Sequence, residues 1–264
     1  MNRLLVHQLR ESLRHEGLIK TLGRSARYLQ SLLRYRRFAR SVLTLTTVEE
    51  RFTSIYRTNH WGSGESASGP GSTLAGTASL RSQLPDLVRR FSIKSFLDAP
   101  CGDFHWMRQL LPALEVAYTG ADIVKSLVES LESEFGRPGV RFIHLDLTTH
   151  KIPPSDLLFC RDCLFHLSYR DTLAVLTNFV DSGSRYLMTT TYASNGLFAN
   201  RDITTGDFRF IDLFAPPYSL PRDVLAQVPD WEPPLPERYM CLWSREQISA
   251  SLASFSSELA SDVA

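Results

Sequence analysis

"SFLDAPCGDFHWM" (residues 95–107) runs from a short apolar stretch into a Pro-Cys-Gly-Asp turn and on into a segment with helical spacing. The pattern is that of a buried strand ending in a tight turn, with Asp98 before the turn and Asp103 after it. Outward from this point, apolar runs and helical stretches alternate. The spacing predicts strands at 94–99, 116–121, 140–145, 156–161 and 185–191. It predicts helices at 104–112, 124–135 and 169–181, the last opened by a capping box of Ser168 and Asp171.

Strand-helix alternation of this kind implies an α/β fold, a doubly wound, Rossmann-like and mostly parallel sheet with helices on both faces. Such sheets bind ligands beyond the carboxyl ends of their strands, where strand order reverses. Acids stand at those ends: Asp98 and Asp103 around the first turn, Asp122 near the end of the second strand, Asp146 after the third and Asp162 after the fourth. A dinucleotide places its pyrophosphate on a helix start through a G-x-G-x-x-G turn. Here Pro100, Gly102 and His105 stand at those places, and Asp103 would repel phosphate. S-adenosylmethionine carries no phosphate, and its ammonium and sulfonium are attracted by acids. Asp122, twenty residues past Gly102, suits both ribose hydroxyls. Asp146 suits the adenine amino group, with Ile123 or Leu147 packed on the ring.

The series Asp98-Ala99-Pro100-Cys101-Gly102-Asp103, Asp122-Ile123, Asp146-Leu147 and "CRDCLFHLS" (160–168) resembles the ordered motifs of class I S-adenosylmethionine-dependent methyltransferases across residues 72–192. Pro100 and Phe104 replace two glycines of the usual first motif, and Gly102 is kept. The stretch from Trp61 to Trp243 resembles a subgroup of unassigned substrate in which a Ser-Gly-x-Gly-Ser segment, here residues 68–72, precedes the turn. The resemblance implies a seven-stranded sheet with one antiparallel strand, finished by "RYMCLW" (238–243) pairing with "FRFIDL" (208–213). It also implies that the turn residues and Arg161 belong to the cofactor side of the site.

The chemistry expected is displacement at the sulfonium methyl, with alignment of the partners supplying most of the rate. Asp162 and His166 are the candidates for a base, should the acceptor be a poor nucleophile. Each also has a plainer reading, as a helix cap or a packed side chain. Cys160 and Cys163 have zinc or redox spacing, but no second pair accompanies them, and packing is the expectation; no metal site is expected. The segment after the fifth strand holds Tyr192, Asn195, Asn200, Asp202, Asp207 and Arg209, which suggests a small-molecule or glycan-like acceptor, methylated at oxygen.

Charge divides the chain. Residues 1–40 hold ten Arg and Lys against two acids, leaving a net −7 on the remainder of a chain whose total is +1. Residues 1–45 are expected to form a basic helical arm, either packed on a domain at 46–250 or touching a membrane surface peripherally, with a tail at 251–264. A net negative domain speaks against nucleic acid. Four cysteines, no apolar span and no secretory signal make the cytoplasm the expected compartment. The oligomeric state stays open. "GSGESASGPGST" (62–73) reads either as a linker or as a loop that closes over a ligand.

Overall fold

The computed structural model describes residues 37–61, 63–230 and 235–261. Seven strands among them form one sheet: β1 (Ser95–Asp98), β2 (Ala117–Asp122), β3 (Val140–His144), β4 (Leu157–Cys160), β5 (Tyr186–Tyr192), β6 (Ala226–Pro229) and β7 (Arg238–Ser244). Their spatial order is β3-β2-β1-β4-β5-β7-β6. β1 to β5 pair in parallel, and β7 runs antiparallel to both β5 and β6. The order reverses between β1 and β4, and that switch point lies beside the Pro-Cys-Gly-Asp turn.

All four residues of β4 are buried, as a central parallel strand covered on both faces requires. Alternate residues feed two cores. Phe96, Leu157 and Phe159 pack under α2 (Ala78–Arg90), α3 (Met107–Leu110) and α4 (Lys125–Phe135), while Leu97, Leu158 and Cys160 pack under α5 (Tyr169–Ser182) and α6 (Arg245–Ser261). α1 (Val48–Arg57) is opened by a complete capping box of Thr47 and Glu50, and Ile55 anchors it on Phe38 and Val42. The basic arm up to residue 36 lies outside the described residues. No helix among the described residues is long and apolar enough to cross a membrane.

Three expectations are corrected. The helix expected at 104–112 is a single turn at Met107–Leu110 followed by a 3-10 turn at Leu111–Ala113, because Phe104 takes a left-handed φ of 57° and Pro112 stops the hydrogen-bond ladder. The Ser168 cap on α5 is made, but Asp171 does not complete a box: its carboxylate accepts from the Thr205 hydroxyl instead. "FRFIDL" is not a strand. Its alternating apolar residues fold back over the ends of β4 and β5, with Arg209 N–H donating to Phe165 O and Tyr192 N–H to Ile211 O, and β6 pairs with β7 in its place. α6 crosses residue 250 without a break, burying Ile248 and Ser251.

Candidate active site

The turn after β1 opens a cleft between the carboxyl ends of β1, β2 and β4. Asp122 forms one side of it. Its Oδ2 accepts from Gly102 N–H at 3.2 Å and its Oδ1 from Val124 N–H at 2.9 Å. Burial raises the carboxyl of Asp122 to about 6 against these backbone donors. Ile123, Leu145 and Leu147 supply an apolar wall, and Val48, Phe52 and Tyr56 of α1 roof the cleft. Asp146 also lines it, with its carboxylate accepting from Thr148 N–H, the Thr148 hydroxyl and the Thr149 hydroxyl.

Asp103 does not face this cleft. Its carboxylate accepts from the Ser66 hydroxyl, Ala67 N–H and the Ser68 hydroxyl at 2.8–3.2 Å, while Asp103 N–H donates to Ser68 Oγ at 2.9 Å. These bonds seat the Gly/Ser-rich segment on the turn, which decides between the two readings of that segment: it is a packed loop, with Ser66 and Ser72 buried. Gly102 permits the contact. Its φ is 53°, and a Cβ there would lie 2.1 Å from Ser68 Oγ. Gly71 does the same at the loop's other end, where a Cβ would lie 2.7 Å from Asp162 Oδ2.

A second, smaller chamber lies behind the turn, bounded by Asp98, Trp106, Phe159 and Arg161. Asp98 is buried and accepts from the Tyr118 hydroxyl at 2.7 Å. Burial raises its carboxyl to about 7, with the Tyr118 hydrogen bond opposing. Arg161 donates from Nε and Nη2 to both oxygens of Asp230 at 3.0 Å and lies 3.3 Å from Asp162. Much of the guanidinium is therefore held within the protein, and only its edge faces the chamber.

Asp98 carries a stability prediction. An unfolded Asp releases its proton near 3.9, whereas the folded carboxyl keeps its proton up to about 7. Between those values the folded state binds more protons, so the stability this group contributes is lost as pH rises through the window. Asp98→Asn, which retains an acceptor for Tyr118, is expected to stabilise the free protein at pH 8 by on the order of 2–4 kcal/mol and to have no effect near pH 4. Denaturant titrations at the two pH values check this; a difference that is the same at both would refute it.

The third chamber, open to solvent, lies beyond the carboxyl ends of β4 and β5. All three spaces are lined in common by Trp61, Ser68 and Asp162. His166 lines both the first and the third. Asp162, at a left-handed φ of 52°, is clamped by Arg161 at 3.3 Å and Arg238 at 3.2 Å. Burial pushes its carboxyl up, but the two guanidiniums outweigh burial and hold it below the ordinary value. A carboxylate so held is a poor proton acceptor. His166 is the better placed of the two candidates. Its Nδ1 lies 2.8 Å from Asp207 O, a carbonyl that can only accept, so Nδ1 carries the proton and the Nε2 lone pair is directed elsewhere. Burial lowers the pKa of His166, against the Asp207 bond.

The structure thus brings Asp98, Ala99, Pro100, Gly102, Asp122, Ile123, Asp146 and Leu147 to the walls of the first two spaces, with Cys101 buried beside them in the second. It turns Asp103 to the loop and gives Arg161 chiefly to Asp230. Cys160 and Cys163 are free thiols, and the bond to Cys160, together with burial, raises the Cys163 thiol well above the usual range. Among the described residues no group of three or more His, Cys, Asp or Glu could hold a metal ion. Sequence reasoning missed Asp230 and Arg238, whose one signal is the proline-rich stretch between them.

No family model matches the chain, and no curated protein does. Among solved structures it is similar to magnesium protoporphyrin IX methyltransferase from Synechocystis PCC 6803 with bound SAH, at 13% identity and a TM-score of 0.47 over 86% of this chain and 99% of that one. It is similar to the methyltransferase domain of bacterial CtHen1 at 14% identity and a TM-score of 0.47 over 64% and 99%. The likeness to the trans-methyltransferase CalH in complex with SAH has 15% identity and a TM-score of 0.45 over 63% of this chain, which spans 55% of that protein. At this level of likeness the sheet order of the chain itself carries the description of the fold: a seven-stranded, doubly wound α/β sheet with one reversed strand.

Proposed function

We propose that the chain is an S-adenosylmethionine-dependent methyltransferase of the class I kind that transfers a methyl group to the hydroxyl of a small molecule. The observation that carries this reading is the meeting of three spaces at Trp61, Ser68 and Asp162. The first fits a nucleoside: Asp122 would accept from the ribose hydroxyls, and Ile123 and Leu147 would pack on the base. The second fits an amino-acid end, with Asp98 for the ammonium and the free edge of Arg161 for the carboxylate. The third would admit the acceptor.

When bound, the cofactor supplies an electrophilic methyl whose bond to sulfur breaks, leaving its electron pair on sulfur, as the acceptor oxygen bonds to carbon. His166 Nε2 would take the acceptor's proton and pass it to solvent. Asp162, kept ionised by Arg161 and Arg238, would place a negative charge at the junction facing the cationic sulfur. The loop from Ser66 to Ser72, seated by Asp103, would exclude water from the transfer.

A dinucleotide fits less well. The segment after the turn has no helix until Met107, and that helix is one turn long, so the row of free N–H groups that cradles a pyrophosphate is missing there. Calorimetry should therefore give S-adenosylhomocysteine a Kd in roughly the micromolar range and NAD no measurable binding. Tight binding of NAD with none of S-adenosylhomocysteine would refute the reading.

A further inference from the structure

Resting on the methyltransfer reading, we infer that the acceptor is a neutral, planar aromatic molecule bearing a hydroxyl, seated between Trp61 and the Phe165–Phe208–Phe210 wall with that hydroxyl at His166. The wall is continuous. Phe165 meets Phe208 at 5.4 Å between ring centroids, Phe208 meets Phe210 at 5.2 Å, Phe210 meets Tyr192 at 5.0 Å, and His166 stands between Phe165 at 4.6 Å and Trp61 at 5.5 Å. Rings arranged this way offer faces and edges to another ring.

The mouth of the chamber is apolar too. Among the described residues the exposed large apolar side chains are Phe208 and Leu235, at 40% and 44%, and both line this chamber. Exposed apolar groups gathered at one opening mark a binding site for an apolar surface.

Charge on the acceptor finds no match there. Among the described residues that line the chamber, Arg238 faces Asp162 at 3.2 Å and Asp230 at 3.1 Å, and both carboxylates also face Arg161 from outside it, so neither sign of charge is left unpaired toward an acceptor. A sugar needs free bidentate acceptors and donors for its hydroxyls, and the two carboxylates here already accept from guanidiniums. Three of the six polar residues that the sequence offered to a glycan are also engaged elsewhere. Asn200 Nδ2 donates to the carbonyls of Asp212 and Pro216, Asp202 caps Tyr169 N–H, and Arg209 is buried under Tyr169 and Tyr218. A phenolic hydroxyl, with a pKa near 10, also gives up its proton to a weakened imidazole far more readily than a sugar hydroxyl does.

The test is titration of the protein, with and without saturating S-adenosylhomocysteine, with 2-naphthol, 6-hydroxy-2-naphthoate and methyl β-glucoside. 2-Naphthol should bind at least about tenfold more tightly than the glucoside and more tightly than the charged naphthoate. Phe208→Ala and Phe210→Ala should each weaken naphthol binding by about three- to tenfold, the worth of one ring contact, and leave S-adenosylhomocysteine binding unchanged. The unchanged cofactor affinity certifies that the variants are folded, and Phe208→Leu should fall between parent and alanine. Preference for the glucoside, or indifference of naphthol to both alanine variants, overturns the inference. Naphthol binding without any S-adenosylhomocysteine binding keeps the chamber's assignment and overturns the methyltransfer reading; the reverse outcome keeps methyltransfer and overturns the aromatic acceptor.

Discussion

His166→Ala should lower turnover by about a hundredfold or more while the affinity for S-adenosylhomocysteine stays within error of the parent. The expectation follows from the Nδ1 contact to Asp207 O, which fixes the tautomer and leaves the proton-accepting lone pair on Nε2 of a residue that lines two chambers. Because burial lowers the pKa of His166, its neutral form is already dominant below the ordinary 6.5. With cofactor saturating, turnover of the parent should therefore rise with pH through an ionisation lying below that value, and His166→Ala should lose it. Asp162→Asn is the control: it should disturb turnover through lost charge without removing the ionisation. A profile that loses its inflection in Asp162→Asn and keeps it in His166→Ala would exchange the roles of the two residues.

Asp122→Ala should weaken cofactor binding by roughly ten- to a hundredfold, the worth of about 1.5–3 kcal/mol in hydrogen bonds to a charged acceptor. The carboxylate already accepts from Gly102 and Val124, one on each oxygen, and each oxygen keeps a lone pair for a ribose hydroxyl. Its proton provides a second readout. With the free carboxyl raised to about 6, the ionised acceptor is lost as pH falls through that value, so affinity should drop below pH 6 in the parent and lose that dependence in the variant. Equal affinities in a folded Asp122→Ala protein at pH 7.5 would remove Asp122 from the site.

The walls of the first two spaces were legible in the sequence because they are local. Asp98 to Asp103, Asp122 and Asp146 each stand at the end of a strand whose apolar run announces it, and the parallel sheet carries all of them to one edge. The third space was not, because its parts meet only in three dimensions. Arg238 and Asp162 lie 76 residues apart in the chain, and no periodicity ties them. "FRFIDL" misled for a related reason. Alternation of apolar residues is equally served by a ladder and by an irregular segment that buries Ile211 and Leu213 on one side and presents Phe208 and Phe210 to a cavity on the other. Asp103 misled because a carboxylate in a turn can serve a ligand or the protein's own hydroxyls, and Ser66 and Ser68 come from a distant stretch.

The meeting of three spaces at so few shared residues makes the proposed enzyme separable in an engineering sense. Phe208, Phe210 and Leu235 line the open chamber and none of the nucleoside cleft, while Ile123, Leu127 and Leu147 do the opposite. No residue belongs to both sets, and the effects of substitutions in them on binding should add except where they act through the shared His166. On the proposed reading, the wall of the open chamber can be redrawn in a library without re-optimising the nucleoside cleft, provided Trp61, Ser68, Asp162 and His166 are held fixed as the hinge between the two problems.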